Sequence, residues 1–325
     1  MKLPRRTFLY LAAGAAAVPS VSRVAWAQSY PARPVRILVG FAAGQAIDIL
    51  VRIVAQSLSD QLGQQFVIEN RPGAGGNLAA EVVVRSPPDG YTLLAVGMNN
   101  MINATLYERL SFNFIRDIAP VASILRAPQV MLVNPSVPAR TMSEFITYAK
   151  ANPGKINMAS AGVGSPTHLS GELFKMMTGI NMLHVPYRGS PAALTDLIAG
   201  QVQVMFDNVA SSLEHIRTGR LRALAVTTTT RWEGLPDIPT VSDVVPGFET
   251  GGMAGIGAPK GTPPEIVEKL NKGINSAIAD GKVKTRLVEL GGTVLPGSPG
   301  DFEKLIAVET EKWARVVKFS GAKAE

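Results

Sequence analysis

FAAGQAID at residues 41–48 and SAGVGSPTH at residues 160–168 are two small, glycine-containing segments that lie far apart along a 325-residue chain. Each follows a short apolar run and precedes apolar residues at helical spacing, which predicts a junction from a strand into a helix. Such junctions present free backbone N–H groups and the positive end of a helix dipole, where anions bind without a basic side chain. If the two junctions face each other, they form a clamp for a carboxylate.

Strands and helices alternate outward from the first segment. Val35–Val39 is predicted as a buried strand, and apolar residues at helical spacing predict a helix from Ile47 to Leu62, which Gly63 ends. Three further elements are predicted next: a strand at Phe66–Ile68, a short helix at Leu78–Val84 and a strand at Thr92–Val96.

The same alternation continues around the second segment. Ser165 is predicted to cap a helix with Pro166 at its first position, and Ser190-Pro191 repeats that start. The remaining predicted elements are a strand at Val130–Val133, a capped helix from Thr141 to Ala151, a strand at Val202–Phe206 ending at Asp207-Asn208, a strand at Leu224–Val226 and two or three helices between Pro263 and Phe319.

This alternation predicts an α/β protein. About 298 residues remain after a cleavable N-terminal segment, more than one core usually holds, so two lobes with a cleft between them are expected. The predicted organisation is a signal peptide at residues 1–27, a first lobe at 28–126, a second lobe at 127–226, and a return to the first lobe with C-terminal helices at 227–325.

The N-terminal 27 residues have the pattern of a secretory signal peptide. Lys2, Arg5 and Arg6 precede an apolar run from Phe8 to Val18, and Ala25-Trp26-Ala27 is a small-x-small cleavage site. The Arg5-Arg6 pair also fits the twin-arginine export route, so both routes stay open. The chain has no Cys, which excludes a lipobox, disulfides and thiolate metal sites. We therefore expect a freely diffusing periplasmic protein.

Charge and motif patterns argue against several other functions. Four basic residues fall within the signal peptide, which leaves 28 basic against 25 acidic residues, scattered rather than clustered, so nucleic-acid binding is not expected. His168 and Glu172 have a metal-ligand spacing, but two ligands are too few for a metal site. The glycine-rich loops lack a Walker or full dinucleotide motif, so no cofactor is expected.

A serine hydrolase is the alternative from another class. Ser165 and His168, with Asp48 or Asp207, have the residue types of a catalytic triad. No Gly-x-Ser-x-Gly elbow surrounds Ser165, however, and a helix N-cap already explains that serine. Asp48 has two interpretations, as a cap that ties the first loop together or as a ligand contact.

The motifs taken together resemble the Bug (Bordetella uptake gene) family, the extracytoplasmic solute receptors of tripartite tricarboxylate transporters. The resemblance covers essentially the whole chain after the signal peptide. It rests on Tyr30-Pro31, Pro34-Val35-Arg36, the Phe41–Asp48 loop, Glu69–Asn77, Pro88–Leu94, Ala149–Lys155, His168-Leu169, His184–Gly189 and Pro236–Val241.

The resemblance implies a type II-like periplasmic-binding-protein fold, with a small organic acid held between the lobes. It also implies a non-enzymatic, monomeric receptor without cofactor or metal, which delivers its ligand to membrane permease subunits. A receptor that docks on a sensor kinase instead is an open alternative. The implied ligand-binding residues are Phe41, Ala42, Ala43, Gly44 and Asp48 in the first loop, Gly162, Gly164, Ser165, Thr167 and His168 in the second, and Asp207 and Asn208 nearby.

The chain departs from the family pattern at two positions. The first loop has Ala43-Gly44-Gln45 where Pro-Gly-Gly is usual, so Gln45 adds a side chain where backbone is expected to meet the ligand. Met253 stands where Trp is frequent. Because of both changes, the resemblance to the family predicts the fold more directly than it predicts the identity of the ligand.

Overall fold

A computed structural model describes residues 30–324, so the predicted signal peptide at residues 1–27 lies outside the described residues. The strands are β1 Val35–Val39, β2 Phe66–Asn70, β3 Thr92–Gly97, β4 Ile118–Ala127, β5 Gln129–Val133, β6 Asn157–Ser160, β7 Leu183–Pro186, β8 Val204–Asn208, β9 Arg222–Val226, β10 Gly252–Pro259 and β11 Thr293–Val294. The helices are α1 Ala46–Leu62, α2 Asn77–Val84, α3 Met98–Leu106, α4 Phe114–Asp117, α5 Met142–Ala151, α6 Pro166–Thr178, α7 Ser190–Ile198, α8 Val209–Arg217, α9 Pro264–Ala279, α10 Gly281–Glu289 and α11 Pro299–Ser320.

Two separate sheets organise these elements. The first sheet has six strands in the order β11-β4-β10-β3-β1-β2, and the second has five in the order β7-β6-β8-β5-β9. In the first sheet β1 is parallel to β2 and β3, whereas β10 is antiparallel to β3 and β4. In the second, β6 is parallel to β7 and β8, whereas β5 is antiparallel to β8 and β9. We call the parts built on these sheets lobe 1 and lobe 2.

The chain crosses between the lobes twice, at neighbouring places. It passes from β4 to β5 through Pro128 alone, and it returns from β9 to β10 through residues 227–251. The Thr227 hydroxyl donates a hydrogen bond to the Thr250 carbonyl at 2.9 Å and accepts one from the Gln129 N–H at 3.0 Å. The predicted α/β fold with two lobes is confirmed, and these two adjacent crossings are where the lobes are joined.

The C-terminal helix α11 packs against both lobes. It contacts α3 and β4 of lobe 1 and α6 of lobe 2. Trp313, the largest fully buried side chain, lies on this helix and donates its indole N–H to the Met98 sulfur at 2.9 Å. The final helix therefore couples the position of lobe 2 to the start of α3.

Two central strands of lobe 1 were not assigned by sequence pattern. The sequence pattern predicts no strand over β4, and β10 lies in a glycine-rich segment. A Cβ on Gly255 would lie 2.3 Å from the Phe302 ring, and one on Gly257 would lie 2.6 Å from Ile118. Glycine weakens a strand locally, so only this close packing by neighbouring elements explains its use here.

Candidate ligand-binding cleft

A cleft of about 420 Å³ lies between the two sheets, beside the β4–β5 crossing. Its volume is within the range of small-molecule sites. None of the residues that line it has an ionisable side chain. The polar side chains that face it are those of Gln45, Asn99, Ser165, Thr167, Ser190, Asn208 and Ser211.

Five helices begin at this cleft. Residues that line it form the starts of α1 and α3 in lobe 1 and of α6, α7 and α8 in lobe 2. The first N–H groups of a helix have no acceptor within that helix, and the helix dipole makes this end positive. The helix N-termini therefore supply positive partial charge to the cleft, although no Lys, Arg or His lines it.

Asp48 braces the first predicted ligand loop from behind. Its side chain is buried and accepts hydrogen bonds from the Gly44 N–H at 2.9 Å, Arg52 Nε at 3.0 Å and Asn70 Nδ2 at 2.9 Å. Burial alone would raise the pKa of Asp48, but the hydrogen bonds from Arg52, Gly44 and Asn70 outweigh it and hold the pKa below its usual value. Asp48 does not line the cleft, so the geometry favours its interpretation as a cap.

Ser165 organises the second predicted ligand loop. Its hydroxyl donates to the Gly162 carbonyl at 2.6 Å and accepts from the backbone N–H of His168 at 3.2 Å, as an N-cap does. The Thr167 hydroxyl lies 3.0 Å from that of Ser165 and accepts from the Ala161 N–H at 2.8 Å. These bonds occupy the Ser165 hydrogen and direct the start of α6 into the cleft.

His168 supports the same loop from inside lobe 2. Its Nδ1 accepts the Gly164 N–H at 3.1 Å, which places the ring proton on Nε2, 3.7 Å from the Glu172 carboxylate. The ring stacks on that of His184 with centroids 3.7 Å apart. Burial, and then the proximity of His168, lower the pKa of His184 to about 4.

This geometry does not form the catalytic arrangement of the hydrolase alternative. The Nδ1 atom of His168 is occupied by Gly164, and its Nε2 faces Glu172. The Ser165 hydroxyl is bonded to Gly162 rather than to an imidazole. A serine nucleophile needs a base within hydrogen-bond reach, and His168 does not provide one to Ser165 here.

Asp207 is a buried carboxylate directly beneath the lobe 2 wall of the cleft. It accepts hydrogen bonds from the hydroxyls of Ser190 and Ser211, each at 2.6 Å, and of Ser212 at 2.7 Å. Ser190 and Ser211 line the cleft, whereas Asp207 itself has no exposed surface. Asn208, the next residue, is exposed at the start of α8 and faces the cleft.

The structure divides the predicted site residues into two groups. Phe41, Ser165, Thr167 and Asn208 line the cleft. The others belong to the same two loops or lie behind the wall without lining it: Ala42, Ala43, Gly44, Asp48, Gly162, Gly164, His168 and Asp207.

Sequence reasoning missed three polar residues that line the cleft: Asn99, Ser190 and Ser211. Asn99 follows the end of β3, and Ser190 starts α7 before a proline. Both positions carried a usable signal, since polar residues at the carboxyl end of a strand or the start of a helix collect at one sheet edge. Ser211 lies inside a helix and had no such signal.

Among residues 30–324, no group of three or more His, Asp or Glu side chains could hold a metal ion.

A family model described as "Tripartite tricarboxylate transporter family receptor" (TctC) matches residues 50–321. The chain belongs to this receptor family. Protein BugT of Bordetella pertussis is 36% identical over 300 residues, which cover 91% of this chain and 92% of BugT. The resemblance to the Bug family is thereby confirmed.

Two solved structures of similar proteins contain carboxylates. Rpa4515 of R. palustris, solved with adipate, is 37% identical to this chain and has a TM-score of 0.77. The match covers 90% of this chain and 99% of Rpa4515. MatC of Rhodopseudomonas palustris, solved with malate, is 33% identical to this chain and has a TM-score of 0.74. The match covers 89% of this chain and 100% of MatC. These likenesses confirm the fold. As a member of the TctC family, this chain is a solute receptor.

Proposed function

We propose that this TctC-family protein binds a small organic carboxylate in the cleft between its lobes, in the periplasm, and delivers it as a monomer to permease subunits of a tripartite tricarboxylate-type transporter. The observation that carries the proposal is the convergence of five helix N-termini on a cleft without ionisable side chains. That combination binds anions through backbone N–H groups and dipoles. The adipate and malate bound to the two relatives are carboxylates of this kind.

The residues have distinct roles in this proposal. Phe41, Ser165, Thr167 and Asn208 contact the ligand or present backbone N–H groups to it. Asp48 and His168 hold the two loops in shape through Gly44 and Gly164. The remaining loop residues, Ala42, Ala43, Gly44, Gly162 and Gly164, form the turns that bring the starts of α1 and α6 to the cleft.

Binding would proceed by closure of the lobes about the crossings at Pro128 and residues 227–251. Each lobe supplies its own helix N-termini, so an anion between them is attracted to both and stabilises the closed state. The closed form would then be the one that the permease recognises.

In the described part of the chain no helix is long and apolar enough to span a bilayer.

Thermal unfolding of the purified protein against organic acids, amino acids and sugars tests this function. A ligand at 100 times its Kd adds about 2.7 kcal/mol to stability, a shift that is easily measured. We expect carboxylates, and not sugars, to raise the Tm. Stabilisation by uncharged sugars alone would contradict the proposal.

A further inference from the structure

The two walls of the cleft differ in chemical character. The lobe 2 wall consists mainly of small and polar residues at the starts of α6, α7 and α8. The lobe 1 wall carries large apolar side chains, which come from α1, α3, β4, β10 and the loops around them: Phe41, Ile47, Leu50, Met98, Leu125, Met253 and Leu290. An apolar wall of this size stabilises a ligand with a substantial hydrocarbon body.

Two of the helix N-termini in lobe 2 are already compensated by a carboxylate of the protein. Asp207 accepts hydrogen bonds from Ser190, the first residue of α7, and from Ser211 and Ser212 in the first turn of α8. These donors are neutral hydroxyls, and within the described part of the chain Asp207 forms no salt bridge. Its negative charge therefore lies directly behind the Ser190 and Ser211 hydroxyls that line the cleft.

The Ser190 hydroxyl donates its hydrogen to Asp207, and the Ser211 hydroxyl donates to Asp207 at 2.6 Å with the Asn208 carbonyl as a second acceptor at 2.9 Å. They present lone pairs, rather than donors, to the cleft. A second ligand carboxylate at this place would meet oxygen acceptors backed by a buried negative charge, which disfavours it. A neutral or hydrogen-bond-donating group is compatible with the same surface.

The starts of α1 and α6 differ from those of α7 and α8. Asp48 at the start of α1 is paired with Arg52 at 2.9 Å, so its charge is balanced locally. The cap of α6 is the neutral Ser165, and the first turn of α6 contains no acidic residue. Because Asp207 bonds to hydroxyls at the starts of α7 and α8 but not at that of α6, the start of α6 is the place in lobe 2 where a ligand anion meets the helix dipole without that opposing charge.

From these contacts we infer that the ligand is a monocarboxylate with an apolar body: its single carboxylate lies at the start of α6, its body lies on the lobe 1 wall, and Asp207 selects against a second carboxylate. This inference rests on the proposed carboxylate-binding function and narrows it. It also separates this protein from the relatives solved with adipate and malate, which are both dicarboxylates.

Titration calorimetry with adipate and monomethyl adipate tests the inference. The two compounds have the same six-carbon acyl chain and differ in whether the second end is charged. We expect the monoester to bind at least tenfold more tightly. Equal or tighter binding of adipate would overturn the inference and leave the proposed function standing. If neither these two nor any other carboxylate binds, the proposed function fails and the inference with it.

Two variants assign the selection to Asp207. Asp207→Asn keeps the side-chain volume and removes the charge, and it should reduce the preference for monomethyl adipate over adipate at least fivefold. Ser211→Ala, at an exposed position on α8, uncovers the Asp207 charge and should weaken adipate binding further. Asp196→Asn is the matched control, since that lobe 2 carboxylate bonds to Tyr187 and does not line the cleft. Unchanged adipate affinity in both test variants would remove Asp207 from the explanation.

Leu290→Ser tests the apolar wall. Leu290 is 37% exposed, so the change perturbs the core little. We expect it to weaken binding of octanoate several-fold more than binding of acetate, because only the longer acid reaches the wall. An equal effect on both acids would show that Leu290 does not contact the apolar body.

Discussion

At the residue scale, Gly164 links the second loop to lobe 1. It has a φ of +71°, and a Cβ there would lie 2.3 Å from Leu106 Cδ2 on α3. Gly164→Ala should cost about 1–2 kcal/mol in backbone strain and a further 1–3 kcal/mol for the clash. Because the loop must move to relieve it, carboxylate affinity should also fall. Urea unfolding and calorimetry measure the two effects.

Gly179 provides the control for that substitution. It ends the same helix, α6, with a φ of +70°, and nothing lies within 4 Å of a Cβ built on it. Gly179→Ala should show the strain alone and leave ligand affinity intact. Equal losses of stability and affinity in the two variants would mean that the contact with Leu106 is unimportant.

The pKa of His184 predicts how stability depends on pH. Burial, and then the neighbouring His168, lower it to about 4, below the value of about 6.5 in an unfolded chain. Between these values the unfolded state binds more protons, so stability should rise with pH up to about 6.5 and fall as pH drops toward 4. The slope from this residue is at most about 1.4 kcal/mol per pH unit.

Urea unfolding at pH 5 and pH 7.5 measures this slope. His184→Gln should reduce the loss of stability at pH 5, whereas His215→Gln on α8, away from the histidine stack, should not. A slope that is the same in all three proteins would show that the stacked pair does not control acid stability.

At the element scale, the two serine-capped helices α6 and α11 separate capping from binding. Ser165 and Ser298 both accept the backbone N–H three residues on, and both precede proline. Replacing either by Ala should lower the free energy of unfolding by about 1 kcal/mol. Only Ser165→Ala should also weaken carboxylate binding, by order 1 kcal/mol, because only α6 starts at the cleft. Calorimetry measures the carboxylate affinity of both variants. Equal affinities in the two variants would contradict the proposed position of the anion.

The sequence predicted the capped helices α5, α6 and α7 better than it predicted the central strands of lobe 1, but it predicted no helix at α3 or α8. Caps and prolines mark the starts of α5, α6 and α7 within the local sequence, so their bounds agree closely with the structure. β10 contains glycines whose role depends on Phe302 and Ile118, which are distant in sequence. Local propensity cannot register such packing, since strand preference depends on neighbours across the sheet.

The same limit applies to the cleft. The strand-to-helix junctions predicted the two loops that lead into α1 and α6 at the cleft, because their glycines and caps are local signals. Whether Asp48 caps or contacts a ligand depends on Arg52 and Asn70 reaching its oxygens. The position of Asp207 beneath three hydroxyls depends equally on α7 and α8 meeting at one sheet edge. Such convergence appears only after the second sheet has formed.

At the scale of the whole molecule, a charge network ties both lobe crossings to the C-terminal helix. Arg126, at the end of β4, pairs with Glu249 before β10 at 2.6 Å and with Glu309 on α11 at 3.1 Å. Lys312 pairs with Glu309 at 2.6 Å and donates to the Glu249 carbonyl at 3.1 Å. The two crossings and α11 are thus held at one place, which restricts how the lobes can move.

Arg126→Gln should therefore lower the free energy of unfolding by about 2–3 kcal/mol. Glu309 is 2% exposed and would lose one of its two cationic partners. Breaking a fully buried pair costs about 3–5 kcal/mol, and the smaller value is expected because Arg126 is 23% exposed and Lys312 remains. Arg315→Gln removes an exposed pair on the same helix and should cost less than about 1 kcal/mol. Adding Glu309→Gln to Arg126→Gln should recover part of the loss, since the buried Glu309 carboxylate is then no longer left with one partner fewer. Urea unfolding of Arg126→Gln, Glu309→Gln, the double variant and Arg315→Gln measures this coupling, and strictly additive losses would mean that the network does not act as a unit.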